Sequence, residues 1–93
     1  MAGKIVRISA AITNTRGLHA RASAKFVETA ARFQSEITVT KGETTVSGRS
    51  IMGLMMLAAS KGSVIELVAE GADASEAIEA LIALIAGKFQ EDS

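Results

Sequence analysis

Residues 36–48, Glu36-Ile37-Thr38-Val39-Thr40-Lys41-Gly42-Glu43-Thr44-Thr45-Val46-Ser47-Gly48, read as two strands about a tight turn. Glu36 to Lys41 alternates strictly, with Ile37 and Val39 on one side and Thr38 and Thr40 on the other. Gly42-Glu43 is the turn, and the Thr-rich, β-branched run 44–48 is the returning strand, so the segment is a β-hairpin.

On the N-terminal side, Ser23, Phe26, Val27, Ala30 and Phe33 form one stripe at helical spacing, which predicts a helix over 20–33. Before it, residues 4–12 are short, β-branched and partly alternating, with Ile5, Arg7 and Ser9 opposed to Val6, Ile8 and Ala10: a strand. Asn14-Thr15-Arg16-Gly17 is the intervening turn. On the C-terminal side, Ser50 is placed to cap a short helix from Ile51 to about Ala59, ended by Lys61-Gly62. Residues 63–69 form another strand. A turn at 71–75, with Asp73 or Ser75 as helix cap, leads into a helix over 75–88 with Ile78, Leu81, Ile82 and Ile85 on one face. Gln90 to Ser93 reads as a frayed polar end.

The order is β-α-β-β-α-β-α. Helices have to cover one face of a sheet, so the expectation is a two-layer α+β domain with a mostly antiparallel sheet, spanning residues 1–93 as a single domain. Related orders serve many functions, so the fold alone does not assign one.

Composition narrows the possibilities. A chain of 93 residues buries roughly 60–65% of its unfolded surface, enough for one core. With three Phe and no Trp or Tyr, that core has to be built from Ala, Ile, Leu, Val and Met. The absence of Cys excludes a disulfide scaffold, a thiol nucleophile and a Cys-ligated metal, and a single His excludes a multi-His metal site. No apolar run approaches membrane-spanning length, and the first residues lack a secretion signal, so no membrane insertion and a cytoplasmic location are expected. Net charge is zero but unevenly distributed. Residues 1–61 hold nine basic and three acidic side chains, and residues 62–93 hold one basic and seven acidic. Such asymmetry favours oriented docking of the basic part against acidic proteins or anions. With no basic run and no aromatic platform, no nucleic-acid partner is expected.

His19 lies between the turn and the first helix. The first amides of a helix lack intrahelical acceptors, carry partial positive charge and bind anions such as phosphate. Free imidazole titrates near ~6.5, so near pH 7 much of it is a neutral nucleophile, and a phosphorylated ring nitrogen is labile. Arg21, in the first helical turn, adds a permanent cation, and Arg16 can add another. A lone His before a helix is more often a solvated or capping residue, so position alone does not assign chemistry.

The segment Gly17-Leu18-His19-Ala20-Arg21-Ala22-Ser23-Ala24 resembles the active-site motif of the HPr family, the histidine-containing phosphocarriers of the sugar phosphotransferase system. Phe26-Val27, residues 35–39, residues 50–55, Lys61-Gly62 and residues 69–71 resemble HPr segments in the same order. The resemblance thus runs from about residue 4 to residue 88. It implies an open-faced sandwich, with a four-stranded antiparallel sheet covered on one face by three helices. It also implies that His19 is phosphorylated on Nδ1 by enzyme I, which draws on phosphoenolpyruvate, that Arg21 assists transfer, and that enzyme II A domains receive the group. The protein is then a carrier with a covalent phosphohistidine state, not a turnover enzyme, with no cofactor and no metal of its own. Where the family most often has Pro, this chain has Ala22; Pro is tolerated but not required in a first helical turn.

Ser50 is accounted for as a helix cap. Beyond that, Arg49-Ser50-Ile51-Met52-Gly53 resembles the regulatory serine segment of HPr proteins phosphorylated by HPr kinase/phosphorylase. The helix after it has no polar face: Ile51, Met52, Leu54, Met55, Met56 and Leu57 surround it. A small two-layer domain cannot bury a short helix on every side. Some of Ile51, Met52, Met55 and Met56 are therefore expected at the surface as a partner site, while Leu54, Leu57 and Ala58 are core candidates. The resemblance places Met52 and Met55 in the docking surface with Ala20 and Ala24. A carrier that docks face to face with two partners is most simply a monomer. Competing readings are a nitrogen-related carrier of similar sequence, a regulator that has lost its carrier residue, and an acylphosphatase-like enzyme or ligand sensor. His19 and Arg21 argue against the regulator, and the enzyme would need a polar cluster outside residues 17–21.

Overall fold

The computed structural model describes residues 3–93. Its elements are β1 (Lys4–Ala11), α1 (Ala20–Ala30), β2 (Glu36–Lys41), β3 (Thr44–Ser47), α2 (Ile51–Met56), β4 (Val64–Gly71) and α3 (Ala74–Ala86). A single turn at Lys88–Gln90 follows. The four strands form one antiparallel sheet in the order β1-β4-β2-β3, and the order and layering are those expected of an open-faced sandwich.

The alternation of β2 sets the core face. Ile37 and Val39 pair with Ala69 and Leu67 of β4, and all four are buried. Val6, Ile8 and Ala10 of edge strand β1 register with Ala69, Leu67 and Ile65 on the same face. Over this face lie Ala22, Phe26 and Ala30 of α1, Leu54 of α2, and Ala77, Ile78, Leu81 and Ile85 of α3. Small Ala residues let the helices approach the sheet closely, which is how so few aromatics suffice.

Several boundaries differ from the sequence reading, each for a tertiary reason. α1 ends at Ala30, not Phe33, because the chain tightens into i→i−3 bonds (Arg32 N–H to Thr29 carbonyl 3.1 Å, Phe33 N–H to Ala30 carbonyl 3.2 Å). α2 stops at Met56 rather than near Ala59. Ala58 turns left-handed (φ 51°) and is exposed, contrary to its expected place in the core, and Ala59 is buried instead. Lys61-Gly62 does not cap α2: the Gly62 N–H bonds the Ile12 carbonyl (2.8 Å) and leads into β4. Asp73 occupies the cap position of α3 but makes no capping bond. Its carboxylate instead accepts from the Gln34 N–H (2.9 Å), the Ser35 N–H (3.0 Å) and the Ser35 hydroxyl (2.5 Å), joining two loops.

The largest departure is at the end of the chain. α3 ends at Ala86 instead of running to residue 88, and Gln90 and Glu91 are not frayed. Lys88, Phe89 and Gln90 run left-handed (φ 56°, 56° and 66°), the Phe89 side chain is fully buried, and Lys25 Nζ donates to the Phe89 carbonyl at 2.8 Å. Side chains other than Gly reach this backbone region only at a cost of about 1–2 kcal/mol per residue. The turn brings Glu91 back over the start of α1.

Candidate functional site

His19 sits at the N-cap of α1 because the preceding turn is tightly specified. Gly17 has φ 64°, and a Cβ there would stand 2.3 Å from the Ala59 carbonyl oxygen, so only Gly fits. The Leu18 N–H donates to that same carbonyl (2.9 Å), and Leu18 is buried. Asn14 Nδ2 clamps the turn by donating to the Gly17 carbonyl (2.9 Å). The first intrahelical bond is Ser23 N–H to the His19 carbonyl (2.8 Å), which leaves the amides of residues 20–22 at the helix entrance.

The hydrogen bonds of the ring define its tautomer. The Arg21 N–H approaches His19 Nδ1 at 3.3 Å; an amide N–H only donates, so Nδ1 presents its lone pair. Nε2 meets the Glu91 carboxylate, and an ionised carboxylate only accepts, so Nε2 carries the proton. Asn14 Nδ2 also donates to Glu91, at 3.1 Å. The His19 and Glu91 side chains are 18% and 12% exposed, so the pair is largely shielded. Partial burial pushes the Glu91 carboxyl up, but the hydrogen bonds from His19 and Asn14 and the positive field of Arg16 outweigh it, holding the group below the ordinary Glu value.

Cations line the clefts next to this ring. Arg16, Arg21, Lys25 and Glu91 line an open cleft of about 260 Å³, and Arg16 also borders a second cleft of about 220 Å³ lined by Leu18, His19 and Ala59. The structure thus brings together His19, Arg21 and Arg16. Among the described residues, no group of three or more acidic or His side chains is placed to hold a metal ion.

Ser50 caps α2, its Oγ accepting from the Gly53 N–H at 2.9 Å. Ile51, Met52, Met55 and Met56 are all exposed, Met52 and Met56 by 70% and 74%. Ala20 and Ala24 are exposed on α1, which packs against α2.

Two residues of the site lie outside the sequence reading: Asn14, which reads there only as a turn residue, and Glu91, which reads as part of a frayed polar end. Phe89 was the available signal. A large apolar side chain inside the polar stretch Gly87-Lys88-Phe89-Gln90-Glu91-Asp92-Ser93 marks a segment with somewhere to dock.

The family described as "PTS HPr component phosphorylation site" matches residues 6–87. The phosphocarrier protein HPr of Neisseria meningitidis serogroup B is 58% identical over 87 residues, covering 94% of this chain and 98% of that relative. HPr of Cupriavidus necator is 49% identical over 80 residues, 86% of this chain and 90% of the relative. The crystal structure of HPr-C-His from Thermoanaerobacter tengcongensis superposes with a TM-score of 0.90 at 48% identity, covering 95% of this chain and 99% of that one. With a fold, a helix-entrance histidine and near full-length relatives in agreement, the chain belongs to the HPr phosphocarrier family of the phosphotransferase system.

Proposed function

We propose that this protein carries a phosphoryl group on Nδ1 of His19, taken from phospho-enzyme I and given to enzyme II A domains of a sugar phosphotransferase chain. The observation that carries this reading is the ring at the entrance of α1, its Nδ1 lone pair turned to the Arg21 N–H through a long, weak contact, with Arg16 bordering the same cleft as the ring.

The chemistry is an in-line transfer. The Nδ1 lone pair attacks phosphorus, the bond between phosphorus and the donor atom on enzyme I breaks, and its electron pair leaves with that atom. The 3.3 Å contact from the Arg21 N–H is long for a hydrogen bond, so little is lost when Nδ1 attacks. That amide is then free to donate to a phosphoryl oxygen, together with the helix-entrance partial charge and the Arg21 guanidinium. Arg16 supplies further positive field. In the onward step the P–Nδ1 bond breaks and its pair returns to the ring. Transfer of this kind rests on positioning and charge stabilisation, and needs no metal on the carrier.

Ala20 and Ala24 of α1 with Ile51, Met52 and Met55 of α2 form the docking surface for both partners. Small residues allow close approach, and Met side chains adapt to two different surfaces. Ser50 is a regulatory site for an HPr kinase/phosphorylase. A phosphate there adds about two negative charges at the edge of a surface meant for acidic partners and slows charging of His19. The carrier works as a cytoplasmic monomer.

The test is intact-mass measurement after incubation with enzyme I, phosphoenolpyruvate and Mg²⁺, with His19→Ala in parallel, followed by addition of an enzyme II A domain. Wild type gains one acid-labile, base-stable phosphoryl group, the variant gains none, and the domain discharges it. No gain with an active cognate enzyme I refutes the reading.

A further inference from the structure

Glu91 stands on the His19 ring at a separation of 72 residues, and the chain adopts three successive left-handed residues to put it there. Buried Phe89, the Lys25 bond to its carbonyl and the Asn14 bond to the carboxylate hold that arrangement. Backbone strain directed at a reactive side chain calls for a chemical reason. From this geometry we infer that Glu91 is a positioning residue for phosphoryl transfer: its carboxylate fixes His19 as the Nε2–H tautomer and keeps that proton in place while Nδ1 gains and loses phosphate.

The inference rests on the carrier reading above and deepens it. In a neutral imidazole only one nitrogen has a free lone pair, and a ring protonated on Nδ1 cannot attack through it. Glu91 at Nε2 and the Arg21 N–H at Nδ1 both select the same, reactive tautomer. During charging, positive charge develops on the ring as the Nδ1–P bond forms, and a carboxylate on the opposite nitrogen stabilises it. During discharge the P–Nδ1 bond breaks, its electron pair returns to Nδ1, and the retained Nε2 proton makes the leaving group a neutral imidazole. No proton is exchanged in either direction. The carboxylate meets the ring at Nε2, the nitrogen opposite the one that takes the phosphoryl group. Asn14, buried and donating to both the Gly17 carbonyl and Glu91, ties this carboxylate to the turn that presents the histidine.

The experiment uses the full chain as wild type, Glu91→Gln and Glu91→Ala, with ring-¹⁵N histidine. Tautomer is read by NMR in the unphosphorylated protein, and charging by enzyme I and spontaneous loss of phosphate are read as rates. Wild type is expected as the Nε2–H form. Glu91→Ala becomes a mixture of tautomers and charges on the order of 10-fold more slowly, a loss of about the size of one hydrogen bond to a charged group. Glu91→Gln retains an acceptor for Nε2–H and keeps the tautomer, but charges more slowly because the negative charge is gone. A carboxylate that only anchored the segment would leave tautomer and charging rate unchanged in both variants, and that result overturns the inference. Failure of wild type to charge at all condemns the carrier reading instead, while the tautomer comparison still decides whether Glu91 orients the ring.

Discussion

Replacing Phe89 with Ala should release the 88–93 segment, leaving the rest of the fold standing. Three left-handed residues cost about 3–6 kcal/mol. Against this stand burial of the Phe89 side chain, about 3 kcal/mol, the Lys25 bond to the Phe89 carbonyl, about 1.5 kcal/mol, and the Glu91 bonds to His19 and Asn14, about 2 kcal/mol. Ordering residues 88–91 offsets part of the difference, so docking is favoured by at most about 2 kcal/mol and removing the ring tips the segment to the undocked state. Because undocking caps the loss, Phe89→Ala costs at most about 2 kcal/mol of global stability, whereas Phe26→Ala, in the centre of the core, costs the usual ~3–5 kcal/mol. Urea titration of both variants measures the difference. Hydrogen exchange at the Gln90 and Glu91 amides, bonded to the Gly87 and Lys88 carbonyls, reports the release. If Phe89→Ala matched Phe26→Ala in cost while both amides stayed protected, the segment would be an integral part of the core and this reasoning would fail.

Other variants address the remaining elements. The Asp73 carboxyl is held below the ordinary value of 3.8, first by the Ser35 hydroxyl and then by the Gln34 amide. Its stabilisation is therefore fully present above that value and lost as pH falls through the lower folded one; urea midpoints between about pH 2 and 5 should fall less steeply for Asp73→Asn than for wild type. Met52→Asp, at a side chain 70% exposed, should change stability by no more than about 0.5 kcal/mol while slowing charging by enzyme I; equal charging rates would remove Met52 from the docking surface. Ser50→Asp keeps a capping oxygen and should fold normally but charge more slowly, and a wild-type rate would count against regulation at that serine.

Sequence made the sheet and its layering legible because the alternation of 36–41 and the stripe of 20–30 are local signals that burial then enforces. The end of α2 was not legible. A helix closing on left-handed Ala58 lacks the usual glycine signal, and the Ala59 carbonyl is taken by Leu18 from a distant loop. The places of His19 and Arg21 at the entrance of α1 were legible because the turn and the helix start lie within one short segment, while any chemistry there was suggested only by the family resemblance. Glu91 was not, since nothing in a polar tetrapeptide reveals a partner 72 residues away. Asp73 misled in the same way, reading as a cap while serving a neighbouring loop.

The central claim is that phosphate resides on Nδ1 of His19. Phosphorus–nitrogen coupling in the ring-¹⁵N protein, charged with enzyme I and phosphoenolpyruvate, tests it most directly. The account predicts coupling to Nδ1, with Nε2 still protonated against Glu91. Coupling to Nε2, or phosphate on any other residue, contradicts it.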